Sequence, residues 1–230
     1  MPVAFISRTI DAPTSLSNAS LAADAVAHVT GNALFVIIHG NTASFGAAVT
    51  DTALNAYTNV ATGTDGTGFY AIYRAHDITG NAANVVDAQL TVAQTYAVMV
   101  VYECSGFGTN TPEAATGFGS GISDGGANAV FSDLSFTGSD AFYMALGIAG
   151  YEAGTTGIHV GATATAFGTD GPDAFQYFKD VRHAVTSSPH QCGVNLNTGI
   201  SIDYRWGAVV FAPGQEAPPV GTVLMGQGAM

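Results

Sequence analysis

Apolar residues along this chain gather in short runs, alternating or continuous, that glycine and asparagine repeatedly interrupt. Such runs read as strands, because side chains alternate across a pleated backbone while a helix repeats every 3.6 residues. The densest run is Tyr96 to Phe107 (YAVMVVYECSGF), short, rich in valine and tyrosine, and closed by Ser105-Gly106. It predicts a strand buried on both faces, with Val98, Val100, Tyr102 and Cys104 on one side. Ala97, Met99, Val101 and Glu103 take the other side, which makes Glu103 a carboxylate on an otherwise apolar face.

The remaining elements follow from the same reading. Val3–Ile10 predicts a first strand, and Asp11 to Asn18 an irregular stretch. Leu21–Val29 is ambiguous between helix and strand, ahead of a turn at Thr30-Gly31-Asn32. Ala33–His39 is a second buried strand. Val49–Ala61 (VTDTALNAYTNVA) predicts a hairpin, with Asp51 and Asn55 supplying the turn chemistry. Gly63–Gly68 and Gly80-Asn81 are further turns, with an alternating strand over Phe69–His76 between them. Val85–Val92 alternates, with Val86, Ala88, Leu90 and Val92 inward.

Gly106 to Gly126 is glycine-rich and predicts short strands at most, or a surface loop. Ala141–Ala149 alternates large (Phe142, Met144, Leu146, Ile148) with mostly small residues, the pattern of a strand with a close neighbour on its small side. Pro172–Val185 is the one helix candidate, started by Gly171-Pro172-Asp173, with a pair of strands broken near Lys179 as the competing assignment. Asp203–Phe211 (DYRWGAVVF) closes the core with the only tryptophan, and Pro213 ends it. No repeat of fixed period stands out, which disfavours solenoids and propellers. Many short strands without βαβ alternation predict an all-β, antiparallel jelly-roll-like β-sandwich over residues 1–212. A proline- and glycine-rich arm follows over 213–230, its apolar residues Val220, Val223, Leu224 and Met225 suited to docking on a neighbouring subunit.

Composition changes this picture in one respect. The chain is 47% hydrophobic and 10% charged with a formal net charge of −12, against roughly 25% charged in ordinary soluble domains. A surface of Thr, Ser, Asn, Gly and Ala suits an extracellular or assembled structural protein. The five cations (Arg8, Arg74, Lys179, Arg182, Arg205) build no basic patch, so nucleic acid is not an expected partner, and the acidic balance disfavours anionic membranes. The apolar run Val3–Ile6 lacks a basic n-region and is too short for a signal peptide. Cys104 and Cys192 give no metal spacing and read as free thiols rather than a bridge.

The order Gly31-Asn32-Ala33-Leu34, Val49-Thr50-Asp51 with Asn55 and Tyr57, Tyr73, and Glu103-Cys104-Ser105-Gly106, closing on Trp206–Phe211, is similar to jelly-roll domains of phage virion proteins and large bacterial surface proteins. The resemblance spans about residues 3 to 212 and departs from the family pattern at Cys104, where an aromatic is usual. It implies a decoration, head-fibre or tail-associated protein that forms a homo-oligomer with other virion proteins as partners. Its location would then be the virion surface, or outside the cell after lysis. A carbohydrate-binding adhesin or receptor-binding domain on cell-surface glycan is the alternative.

Candidate chemistry is sparse. Glu103 would need a second carboxylate for glycosidic chemistry, and Glu113 and Glu152, the only other glutamates before the tail, sit on no convincing strand. A buried acid satisfied by Arg74, by Arg205 or by loop backbone is the simpler reading. His28, His39, His76, His159, His183 and His190 show no metal-ligand spacing. Asp65, Asp170 and Asp173 lie in turn sequences too thin in oxygen ligands for calcium. Ser105 and Ser120 lack a nucleophile-elbow context, so neither enzyme activity nor a cofactor or metal is expected. Phe107, Phe118, Tyr151 and Phe167, placed in loops, are the candidate ligand-stacking residues.

Overall fold

The computed structural model describes residues 4–11, 20–40, 47–64, 68–93, 97–107, 113–124, 128–134, 142–151, 157–160, 165–173, 176–185, 190–196 and 201–211, with side chains described no further than Phe107. Every element among them is a strand and every pairing is antiparallel. The first ten are β1 (Ala4–Asp11), β2 (Ser20–Ala22), β3 (Val26–His28), β4 (Ala33–Gly40), β5 (Ala47–Asp51), β6 (Thr58–Thr64), β7 (Phe69–Ala75), β8 (Asn81–Asn84), β9 (Val86–Leu90) and β10 (Ala97–Ser105). Then follow β11 (Glu113–Asp124), β12 (Asn128–Leu134), β13 (Phe142–Tyr151), β14 (Gly157–Val160), β15 (Thr165–Asp173), β16 (Gln176–Val185), β17 (His190–Leu196) and β18 (Ser201–Phe211).

They form five-stranded sheets of order β1-β10-β4-β7-β6 and β11-β18-β13-β16-β15, three-stranded sheets β2-β9-β5 and β12-β17-β14, and the ribbon β3-β8. The run around Val100 is β10, an interior strand of the first sheet between the edge strand β1 and the central strand β4. Every residue of β4, and all of β10 up to Cys104, is buried. Directly paired residues share a face, so register sorts the sheet into two sides. Leu34, Val36 and Ile38 lie with Val101, Met99, Ala71 and Tyr73, and pack on Leu21, Val49, Val86, Ala88 and Leu90 of the three-stranded sheet. Phe35, Ile37, Tyr70, Ile72, Val98 and Val100 form a second cluster on the opposite side. The alternation expected within Tyr96–Phe107 is the one seen.

Four differences from the sequence expectation have physical causes. Val49–Ala61 is not a hairpin: β5 pairs with β9 and β6 with β7, so the segment turns a corner from one sheet to the other. Pro172–Val185 is not a helix. β15 runs on to Asp173 and β16 begins at Gln176, because β13 supplies a ladder along the whole of β16. The glycine-rich passage holds the 12-residue strand β11, which β18 pairs along its length. Val92 lies beyond the end of β9 and is 40% exposed, since alternation governs only paired residues. Among the described residues there is no helix, hence none long and apolar enough to cross a membrane.

Candidate functional site

Of the buried polar side chains among the described residues, His28, Asn32, Asp51, Asn84 and Glu103 collect at one end of the first sheet pair, where three loops meet, while His39 lies at the other end of β4. Thr30-Gly31 forms a tight turn in which Asn32 N donates to Val29 O at 3.2 Å. Gly31 takes φ +86°, a conformation that glycine adopts without a side-chain clash. Ile78 clips this turn from the neighbouring loop. Its N–H donates to Asn32 O (3.0 Å) and its carbonyl accepts from Gly31 N (2.9 Å). Asn55 holds the same loop from its far side, with Thr79 N donating to Oδ1 (2.7 Å) and Nδ2 donating to Thr79 O (3.3 Å).

Glu103, 1% exposed, receives Val29 N at 2.8 Å and Asn32 Nδ2 at 2.6 Å on Oε1, and Ser7 Oγ at 3.3 Å on Oε2. Loop backbone, one of the partners expected for Glu103, is thus among those it has. Arg74 lies on the opposite face of the sheet, opposite Phe35, and cannot reach it.

Asp51 is the hub of the corner. Oδ1 accepts from Asn55 N (2.9 Å), and Oδ2 from Asn55 Nδ2 (2.8 Å), the Tyr57 hydroxyl (2.9 Å) and Asn84 Nδ2 (3.0 Å). Burial alone would raise its pKa, but these donors outweigh burial and hold it below the usual aspartate value. The Tyr57 hydroxyl is pushed far up by burial and by the Asp51 charge, so it stays a donor. Asn84 is oriented by Thr52 Oγ1 (3.0 Å) and Ala53 N (3.1 Å), both donating to its Oδ1. Its amide nitrogen can then only donate, which makes His28 Nδ1, 3.0 Å away, an acceptor without a proton. Burial lowers the His28 pKa in the same direction, while the charges of Glu103 and Asp51 pull it back.

Asp51 and Asn55 are legible in the sequence as turn chemistry, and Tyr57 only as part of the family resemblance. His28 and Asn84 are not, because they arrive from β3 and β8 and no local pattern marks them. Phe107 is 4% exposed and packs edge-on against Phe35 at a centroid distance of 5.0 Å, so its ring belongs to the core. Phe118 lies opposite Gly207 within β11, Tyr151 ends β13, and Phe167 is the extra residue of a bulge in β15, so these three stand in strands rather than loops. Val220, Val223, Leu224 and Met225 fall outside the described residues. Cys104 is buried in β10. Among the described residues no three His, Cys, Asp or Glu side chains gather closely enough to hold a metal ion. Comparison with protein-family models, with curated proteins and with solved structures returned no match.

Proposed function

We propose that this chain is a non-enzymatic structural protein of a viral particle surface, of the decoration or fibre type, built on a jelly-roll-like β-sandwich and assembling as a homo-oligomer. One observation carries the reading. Among the described residues, the densest group of ionisable and amide side chains faces inward and spends its hydrogen bonds on the protein's own loops, where a catalytic carboxylate would face a cleft. The low charge of the whole chain fits the same role, since a surface of neutral polar residues suits lateral packing in an assembly.

Three measurements test it. Glu103→Gln should shift unfolding by about 1.5–3 kcal/mol, the contribution of a charged hydrogen bond, and leave any turnover unchanged. Activity on a polysaccharide panel that disappears in this one variant would overturn the non-enzymatic reading. Labelling purified native particles with antibody against the chain should decorate their surface, and unlabelled particles would overturn the virion reading. Removal of 214–230 is expected to leave the sheets intact and lower the oligomer mass in light scattering. An unchanged mass would remove the arm from the assembly.

A further inference from the structure

We propose that residues 4–105 and 113–211 are two copies of one eight-stranded unit joined in tandem, and that the outer apolar face of the first copy's five-stranded sheet is an interface occupied by the second copy. The inference goes beyond the particle reading and does not depend on it.

The topology carries the first half of the proposal. Setting β11, β12, β13, β14, β15, β16, β17 and β18 against β1, β2, β4, β5, β6, β7, β9 and β10 turns the order β1-β10-β4-β7-β6 into β11-β18-β13-β16-β15. The same substitution turns β2-β9-β5 into β12-β17-β14. The ribbon β3-β8 has no counterpart among the described residues. No strand of either copy pairs with a strand of the other.

Register is a stricter test, because a shared strand order still allows the strands to slide. Arg74 stands opposite Thr58, and Arg182 opposite Thr165. Taking these as equivalent fixes every other pair in the sheet. Leu34, between Ala75 and Glu103, then matches Met144, between His183 and Val210. The bulges coincide as well: Val60 is the extra residue in β6 and Phe167 in β15, each at the equivalent position. Ile6 in β1 likewise matches Ala114 in β11. A bulge displaces every later pairing on its strand, so two bulges at equivalent positions on two strands mark common construction. Gly-Thr-Asp-Gly starts at the end of β6 (63–66) and lies within β15 (168–171), two register positions earlier in the second copy.

The face pattern carries the second half. Leu34, Val36 and Ile38 correspond to Met144, Leu146 and Ile148, so the side that meets the three-stranded sheet stays apolar. The other side diverges, with Gly147 and Gly207 at the places of Ile37 and Val100. In the first copy that side is sealed: Phe35, Ile37, Tyr70, Ile72, Val98 and Val100 are at most 3% exposed. Their cluster contains only residues of the same sheet and Phe107, so the cover comes from elsewhere. Strands β11, β13 and β18 approach β4, β6 and β7. Along the middle of β13 that face carries only Ala145, Gly147 and Ala149, with Gly207 beside Gly147, which lets a second backbone come close to large side chains. The contact sets β6 and β7 of the first copy against β11 and β18, the counterparts of its own β1 and β10, with β4 against β13.

Cross-strand nuclear Overhauser contacts in the full chain test the duplication. Contacts Thr165–Arg182, Met144–Val210 and Ala115–Val210 are expected. Ladder partners that cross between 4–105 and 113–211, or a different order in the second half, would overturn it. A protease site inserted between Phe107 and Glu113 of the full chain tests the interface. After cleavage the two fragments should elute together at the volume of the uncut protein, and separation into two species at micromolar concentration would overturn it.

Discussion

Replacing Asp51 with alanine removes one acceptor group and leaves four donors without it: Asn55 N, Asn55 Nδ2, the Tyr57 hydroxyl and Asn84 Nδ2. They do not suffer equally. Asn55 is partly exposed and water can replace the carboxylate there, whereas Asn84 is 1% exposed. Counting the Asn84 and Tyr57 bonds at about 1.5–3 kcal/mol each, as hydrogen bonds to a charged group, gives a loss of about 3–5 kcal/mol once partial rehydration is allowed for. Against a total stability of roughly 5–15 kcal/mol that is a large fraction. Urea unfolding followed by tryptophan fluorescence and circular dichroism would read it as a midpoint lowered by about 1–2 M. Asp51→Ala combined with Tyr57→Phe should cost less than the two changes summed, by about 1–2 kcal/mol, because the second removes a donor already stranded. The pH dependence has a definite sign. Asp51 has a depressed folded-state pKa, so its contribution is complete above its ordinary value of 3.8 and fades as the pH falls through the folded value. Wild type and Asp51→Ala should therefore converge in acid. A loss below about 1 kcal/mol at neutral pH, or strict additivity with Tyr57→Phe, would refute the hub role.

Other expectations follow from single positions. A Cβ on Gly80 would lie 2.6 Å from Thr30 N and 2.7 Å from His28 O, both backbone atoms that cannot swing aside. Gly80→Ala should lose about 1–3 kcal/mol in the same urea assay, and a neutral result would show that the loop shifts freely. Leu54 holds φ +61° while 89% exposed. Leu54→Asn should raise stability by about 0.5–1 kcal/mol, since asparagine tolerates this conformation better, and a loss would contradict the strain. Burial, helped by the Arg74 charge, pushes His76 from 6.5 down to about 4, and neither ring nitrogen has a hydrogen-bond partner among the described residues. Stability should fall as the pH drops from 6.5 towards 4, because the unfolded chain takes up the proton first. His76→Phe, which keeps a ring beside Phe35 and Phe107, should flatten that window, and an unchanged slope would assign it to other groups.

The sequence by itself determined the strand class and most of the interior strands. Ala33–His39, Tyr96–Cys104, Ala141–Ala149 and Trp206–Phe211 were all legible because β-branched and aromatic runs closed by glycine have few alternatives, and all four fall in interior strands. It also determined the two faces of β10 and the oddity of Glu103, since alternation is a local property. Tertiary structure decided where the pairings go. Asp51 and Asn55 carry the same turn chemistry in a hairpin as in a corner between sheets, and only the partners β9 and β7 distinguish them. The helix start signal at Gly171-Pro172-Asp173 yields to β13, because a ladder satisfies backbone groups along β16 that a local signal alone cannot. The polar hub needed His28 and Asn84 from strands distant in sequence, and nothing local announces them. The tandem units proposed above were invisible as a repeat for a related reason. Register preserves which face is apolar, as in Val36 and Leu146, while Ile37 and Gly147 at equivalent places share no side-chain chemistry. Burial constrains size and polarity at a position more than identity, so topology outlasts sequence.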